Sequence, residues 1–288
     1  MRGEPAEGIL VLMRPTVAIL GAGAMGGALA SGLLRAGWQA EELTMAARRP
    51  ERAEHLEKET GVRTLLDPGE AAAGKQVVVV SVKPRDVPGL LSQLADGGIG
   101  GDQVLVSLAA GVPISMYEQR FPGVAVVRAM PNTPALVGEG ITAYAVGQGA
   151  GKRAVERAAS VLEAVGPTVR LDEELLDAVT AVSGTGPAYV FLLAEALIEA
   201  AIREGLPRDV AERLIEQTVK GAGVLLVETG LNPAELRAQV TSPAGTTAAA
   251  VHILEERGFR SLLEDAVRAA AQRSREMGAQ AASTGDAT

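Results

Sequence analysis

The sequence predicts an α/β N-terminal Rossmann-like domain, a doubly wound and mostly parallel sheet, followed by an all-α domain. Three observations carry that expectation. Short β-branched runs alternate with amphipathic helical stretches between Thr16 and Met130, the pattern of successive βαβ units. A glycine-rich turn, Gly21-Ala22-Gly23-Ala24-Met25-Gly26, directly follows the first of those runs. Beyond Leu171 strand-like runs stop and helical spacing takes over.

In chain order, Thr16–Leu20 reads as the first strand and Ala24–Ala36 as the helix that opens at the glycine turn. Leu43–Ala46 is a second strand, followed by a helix over Pro50–Thr60. Gln76–Ser81 is a continuous apolar run, as expected of a strand buried on both faces of a parallel sheet. Val104–Leu108 and Val124–Met130 repeat the pattern. In the second half a helix is expected over Ala188–Glu204. Val210, Ala211, Leu214, Ile215, Val219, Ala222 and Leu225 then follow helical spacing, with Asp209, Glu212, Arg213 and Glu216 opposite. Around Gly221–Val227 that helix is apolar on all sides, so its end is expected to be buried. Asn232 before Pro233 reads as an N-cap followed by proline at the first helical position. Helices are also expected over Thr246–Arg257 and Arg260–Met277. The implied organisation is an extension over 1–14, a dinucleotide-binding domain over 15–171, a helical substrate and oligomerisation domain over 172–277, and a flexible, small and polar tail over 278–288. Met13 is a candidate alternative start, with residues 1–12 expected to lack structure.

Composition narrows the function. The 288 residues are 47% hydrophobic but only 2% aromatic, so the cores must be built from Ala, Val and Leu, and stacking platforms for single-stranded nucleic acid are not expected. A net charge of −8 argues against a phosphate-backbone binder. With no Cys and two distant His residues, His55 and His252, no thiol nucleophile and no metal site are expected. The longest uncharged stretch, Ala178–Ala194, is interrupted by Ser183-Gly184-Thr185-Gly186-Pro187, so no membrane span is expected. Ile9–Met13 is short for a signal peptide, and a cytoplasmic location follows as the expectation.

Four features carry chemistry. The glycine turn, between a strand and a helix, suits a pyrophosphate on the helix N-terminus; the competing reading is a turn with only a packing role. The end of the second strand reads Ala46-Ala47-Arg48-Arg49-Pro50, with two guanidiniums where an NAD site carries an acid. Guanidinium forks match phosphate geometry, so NADPH is favoured, with NADH also accepted; otherwise both Arg are solvated helix-start residues. Ser81-Val82-Lys83-Pro84 closes the most apolar strand, Ala109-Ala110-Gly111 the next, and Met130-Pro131-Asn132-Thr133-Pro134 the one after, together outlining one cleft at the strand ends. Finally, Ser183–Tyr189 and Val240–Thr247 are runs of hydroxyl and small residues before helices, fitting either an anion such as a carboxylate or ordinary N-capping.

The order G-A-G-A-M-G-G-A, S-V-K-P, S-L-A-A-G-V, R-A-M-P-N-T-P, V-S-G-T-G-P-A-Y-V-F, T-S-P-A-G-T-T-A-A-A-V and G-F-R-S-L-L-E-D-A-V resembles the pyrroline-5-carboxylate reductase family over about residues 15–277. The resemblance implies reduction of a cyclic imine to proline with NAD(P)H, a helical domain interlocked with a second subunit, and dimers assembled into a decamer. It places Gly21, Ala22, Gly23, Ala24, Met25, Gly26, Arg48, Arg49, Ser81, Val82, Lys83, Pro84 and Ala110 at the cofactor, with Gln239 as a further cofactor contact. It places Ser242, Gly245, Thr246 and Thr247 at the substrate, with Glu173 as a further contact, and Thr247 as the hydrogen-bond donor to the ring nitrogen. Two positions depart from the family pattern: Ala244 stands where a second glycine is usual, and Pro68 stands where Asn is common. A β-hydroxyacid-type dehydrogenase would share the two-domain plan but should carry a catalytic Lys on its first helix after the Rossmann domain, and Ala188–Ala201 contains none. A non-catalytic NADP-binding protein would not need the Ser242–Thr247 run.

Overall fold

The computed structural model describes residues 14–95, 97 and 99–285; the proposed extension and alternative start lie almost wholly outside them. The chain divides into two compact units, one made of the residues through Val179 together with those from Ser274 onward, the other spanning Thr180–Arg273.

The first unit holds an eight-stranded sheet: β1 (Val17–Leu20), β2 (Leu43–Ala46), β3 (Thr64–Leu65), β4 (Val77–Val80), β5 (Val104–Ser107), β6 (Ala125–Met130), β7 (Thr142–Val146) and β8 (Thr168–Arg170). Their order is β3-β2-β1-β4-β5-β6-β7-β8, and every neighbouring pair is parallel except β6 with β7. The chain thus leaves the centre between β1 and β4 in both directions, the doubly wound arrangement the alternation predicts. β1, β4 and most of β5 form the core of the sheet because their valines and leucines are buried on both faces. Ala18, Leu20, Val78, Val80 and Leu105 belong to one apolar cluster. Val17, Ile19, Val77, Val79 and Val104 belong to the other. Each fully buried Val, Leu or Ile contributes roughly 1.5–3 kcal/mol, so the all-Val β4 anchors both layers.

The helices α1 (Ala24–Arg35), α2 (Pro50–Thr60), α3 (Pro68–Ala72), α4 (Val87–Ala95), α5 (Ile114–Arg120) and α6 (Lys152–Glu163) cover the two faces. α2 begins with Pro50 and ends at Gly61 in the left-handed conformation (φ 74°), the asymmetry expected of a well-terminated helix. A short helix α7 (Leu176–Val179) closes this part of the chain.

The second unit is all helical: α8 (Gly186–Arg203), α9 (Arg208–Thr229), α10 (Pro233–Gln239), α11 (Thr246–Glu256) and the start of α12 (Phe259–Gly285). Asn232 caps α10 as expected, accepting from the Ala234 N–H at 2.9 Å.

Three expectations need correction. The tail over 278–288 is not a separate flexible segment as far as it is described: α12 continues to Gly285. The reason is packing, since Gly278 sits against Gly111. By contacts the first unit runs on to Val179, because residues 172–179 bond to β6 and the start of α5. The end of α9 is not buried within the single chain: Val224, Leu225, Leu226 and Val227 are 43–78% exposed. Lastly, Ser183–Pro187 does not stop the helical run. A π-turn over Thr180–Gly184 absorbs it, and Glu173–Arg203 forms 31 helical residues with mean hydropathy of 1.4 in their most apolar window, long and apolar enough to cross a membrane.

Candidate active site

The glycine turn separates its three roles cleanly. Gly21 has φ +118°, and a Cβ there would stand 2.5 Å from the Ser81 carbonyl oxygen, so only glycine lets the turn pass over the end of β4. Gly26 is buried, and a Cβ there would overlap the Gly21 carbonyl, so α1 can lie against the turn only without one. Gly23, by contrast, has open space where its Cβ would be. It is the N-cap of α1, makes no side-chain cap, and precedes a first turn without an acid. The unanswered N–H groups of that turn are suited to an anion. A purely packing turn explains Gly21 and Gly26 but leaves Gly23 unexplained.

In front of this turn lies a cleft of about 770 Å³ at the carboxyl ends of β1, β2 and β4. Of the expected cofactor residues, Gly21, Ala22, Gly23, Arg48, Arg49, Ser81, Val82 and Lys83 line it. Met25 instead packs onto the core beneath β1. Ala24 and Gly26 belong to the first turn of α1 behind the cleft wall. Pro84 begins the 3-10 turn over Pro84–Asp86 and Ala110 follows β5; neither lines the cleft.

The cleft also contains residues that the sequence reading misses. Arg52, in the first turn of α2, donates from Nε to the Ala22 carbonyl at 3.0 Å and so ties the helix after β2 to the glycine turn. Arg85 and Asp86 enter from the turn after β4. An acid nonetheless stands beside Arg48: Asp86, in the turn after β4, pairs with it at 3.4 Å. No local signal marks it, because only the pairing of β4 with β1 brings that turn to the cleft. Pro68, at N1 of α3, lines the same cleft, while Asp67 caps that helix through the Gly69 and Glu70 N–H groups.

Does the cleft fit a phosphorylated dinucleotide? Four guanidiniums (Arg48, Arg49, Arg52 and Arg85) and Lys83 provide cationic donors against one carboxylate, Asp86. The Ser81 hydroxyl is buried with no hydrogen-bond partner among the described residues, an atom that a polar group of a bound ligand would satisfy. Donor set, open helix terminus and orphaned hydroxyl all fit NADP(H).

The hydroxyl run of the second unit is a turn before α11. Gly245 is the N-cap, and no side chain caps the helix, so the capping alternative fails here. Ala244 has φ 56°, the positive φ that a second glycine would accommodate, and it is the one non-glycine residue so placed among those described. A Cβ on Gly245 would run into the Ser242 hydroxyl, which fixes a glycine at that position. The Thr246 and Thr247 hydroxyls have no hydrogen-bond partner among the described residues, and Thr247 is half-buried at N2 of α11. The turn thus offers a helix N-terminus and free hydroxyls together, chemistry suited to a carboxylate and a ring nitrogen.

The other two expected contacts are placed differently. Glu173 is committed within the first unit: its Oε1 accepts from the Ile114 N–H at 2.8 Å and from Arg128 at 3.1 Å. Those bonds hold one oxygen of its carboxylate, Oε1, in place. Gln239 is an exposed residue at the end of α10 in the second unit. Burial keeps the Tyr117 phenol neutral, pushing its pKa well above the ordinary value against the lowering effect of its hydrogen bond with Ser107 at 2.6 Å.

Comparison with known proteins agrees with both halves. Residues 173–277 match the family described as pyrroline-5-carboxylate reductase dimerisation. Residues 16–111 match the family described as NADP oxidoreductase coenzyme F420-dependent. The chain is 42% identical to a pyrroline-5-carboxylate reductase of Mycobacterium tuberculosis, covering 91% of this chain and 96% of that protein. It is 42% identical to one of Synechocystis, covering 90% and 97%. Among solved structures, a pyrroline-5-carboxylate reductase from Coxiella burnetii superposes with a TM-score of 0.85 at 34% identity, covering 91% of this chain and 98% of that one. A pyrroline carboxylate reductase from Plasmodium falciparum, with NADP bound, gives 0.82 at 29% identity, covering 92% and 98%.

Proposed function

The chain belongs to the pyrroline-5-carboxylate reductase family, and we propose that its first unit holds the cofactor at the Gly21–Gly23 and Arg48–Arg49 cleft while the Ser242–Thr247 turn of its second unit holds the substrate. The protein is an NAD(P)H-dependent oxidoreductase that reduces 1-pyrroline-5-carboxylate to L-proline, the last step of proline biosynthesis. The observation that carries the site assignment is the uncapped start of α11, with glycine at its N-cap and the Thr246 and Thr247 hydroxyls unused.

The cofactor supplies the hydride when bound. Everything else asked of the protein is placement. Arg48 and Arg49 bind the adenosine 2′-phosphate, and the N–H groups at the start of α1 bind the pyrophosphate. Ser81 donates to or accepts from the cofactor at the end of β4. The N–H groups of the first turn of α11, with Ser242, Gly245 and Thr246, hold the substrate carboxylate. Thr247 donates a hydrogen bond to the ring nitrogen as it turns from imine to amine. A cyclic imine is readily protonated, so a positioned hydroxyl suffices where a buried carboxylate pair would otherwise be needed.

The helical unit of one chain leaves Phe191, Leu192, Leu214, Val227 and Leu262 between 52% and 78% exposed. A second copy covers this surface in a homodimer, and dimers join into a decamer, the arrangement that the resemblance implies. The apolar run Glu173–Arg203 falls entirely within this matched dimerisation region, so its partner is protein and not lipid, in keeping with a cytoplasmic enzyme without membrane or nucleic-acid partners.

Thr247 tests the assignment. A neutral hydrogen bond is worth about 0.5–1.5 kcal/mol, and somewhat more where water is excluded. Thr247→Ala should lower turnover on pyrroline-5-carboxylate by roughly 10- to 100-fold with NADPH affinity intact, and Thr247→Ser should recover most of it. Unchanged turnover in Thr247→Ala, or a loss matched by a fall in melting temperature, would remove Thr247 from the chemistry.

A further inference from the structure

The C-terminal part of α12 makes specific contacts with the loop that leaves β5. A Cβ on Gly111 would stand 2.8 Å from both the Gly278 nitrogen and the Ser274 carbonyl oxygen, and one on Gly278 would overlap the Gly111 carbonyl. The two backbones therefore touch, and neither position tolerates a side chain. Gly111 also has φ +78°, a second reason for glycine there.

A chain of polar side chains supports the same contact. Ser274, 3% exposed, donates to Asp177 Oδ1 at 2.6 Å. Asp177 pairs with Arg128 at 3.5 Å, and Arg128, with 8% of its side chain exposed, pairs with Glu173 at 3.1 Å. Glu173 in turn accepts the Ile114 N–H, the first residue of α5. The segment between β5 and α5 is thus held at Gly111 by α12 and at Ile114 by Glu173. β5 lies beside β4 with Ser107 in register with Val80, one residue before Ser81 of the cofactor cleft.

We propose that the end of α12 is a positioning element for the loop between β5 and α5, and that through this loop it sets the nicotinamide end of the bound dinucleotide. Ser274, Gly278 and Glu173 are positioning residues, acting through the loop backbone rather than on the ligand. The proposal rests on reading the cleft as an NADPH site. It explains why small residues occupy a stretch that composition alone marks as a tail: a larger side chain at 278 would lift α12 off the loop.

The test compares Gly278→Ala and the milder Ser274→Ala with the unaltered protein. Three quantities are read: turnover at saturating pyrroline-5-carboxylate and NADPH, melting temperature, and affinity for adenosine 2′-monophosphate, which fills only the Arg48–Arg49 end. A displacement of the reacting ring by a fraction of an ångström to an ångström costs up to about 10²-fold, so Gly278→Ala should lose roughly 10-fold in turnover and Ser274→Ala about 3-fold. Both should bind adenosine 2′-monophosphate within about 2-fold of the unaltered protein, since the guanidiniums stay in place. Unaltered turnover in both variants overturns the proposal. So does a parallel loss of turnover, nucleotide affinity and melting temperature, which marks a purely structural contact. If Gly278→Ala fails to fold, Ser274→Ala decides by the same criteria. Failure of the unaltered protein to bind adenosine 2′-monophosphate would instead reject the cleft assignment itself.

Discussion

On the proposed reading of the cleft, cofactor choice falls to three side chains. Arg48 is 82% exposed by side chain and faces a carboxylate, Asp86, that is only 24% exposed. A 2′-phosphate entering the cleft gains two guanidiniums but also meets that carboxylate. Replacing Arg48 and Arg49 together by Ala should weaken NADPH use by very roughly 10²-fold and leave NADH use nearly unchanged, because only NADPH presents a phosphate there. Asp86→Asn should act in the opposite direction, raising the NADPH-to-NADH ratio of kcat/KM several-fold, since it removes like-charge repulsion and frees Arg48. Steady-state kinetics with both cofactors check both expectations; equal losses with NADPH and NADH in the double variant would show that the two Arg serve only the fold. The pair Arg48-Arg49 is legible in the sequence because it sits where a dinucleotide site carries its ribose contact. Asp86 and Arg52 are not, because they reach the cleft from β4 and from the first turn of α2, and only the order of strands in the sheet brings those elements together.

At the scale of elements, the turn before α11 carries a cost visible in its backbone. Ala244 at φ 56° is held in the left-handed region, where an L side chain is disfavoured by about 1–2 kcal/mol. Glycine removes that strain but is more flexible when unfolded, so Ala244→Gly should stabilise by about 0.5–1 kcal/mol net. A thermal melt should show a rise of ~1–2 °C, with activity retained. A fall of the same size would show that the Ala244 methyl packs against something that glycine cannot replace. The strain was readable in advance from Ala in place of the second glycine. So were β4 and the helices that begin at Pro50 and Asn232, whose signals are local: buried apolar runs, proline at N1, a capping side chain. β3, β7 and β8 were not. Thr64–Leu65 is only two residues, Thr142–Val146 interrupts its Thr, Tyr and Val with Ala, and Thr168–Arg170 is an edge strand with Val169 48% exposed, so none shows the continuous β-branched run that marks a central strand. Their place is set by pairing, β3 to β2, β7 to β6 and β8 to β7, a long-range effect that local patterning does not encode.

For the whole molecule, the two units differ in how completely each buries its own apolar residues. The sheet unit encloses two apolar clusters within itself. The helical unit has Ala181 and Ala211 as its buried apolar residues among those described, with many exposed Leu and Val around them. Helical spacing in the sequence revealed the apolar faces but could not distinguish burial inside a chain from burial between chains, which is why the end of α9 reads as core and is exposed in a single chain. Light scattering at micromolar concentration without detergent should find a dimer or a multiple of it; a stable monomer, or a protein recovered only in detergent, would count against a protein partner for this surface. The most direct measurement of the central claim is NADPH oxidation by the purified protein with pyrroline-5-carboxylate, set beside a panel of 3-hydroxyacids with NADP. The account predicts NADPH consumption that depends on the imine and yields one proline per NADPH, with no reaction on the panel. Absence of imine-dependent oxidation, or turnover of a hydroxyacid in its place, would contradict it.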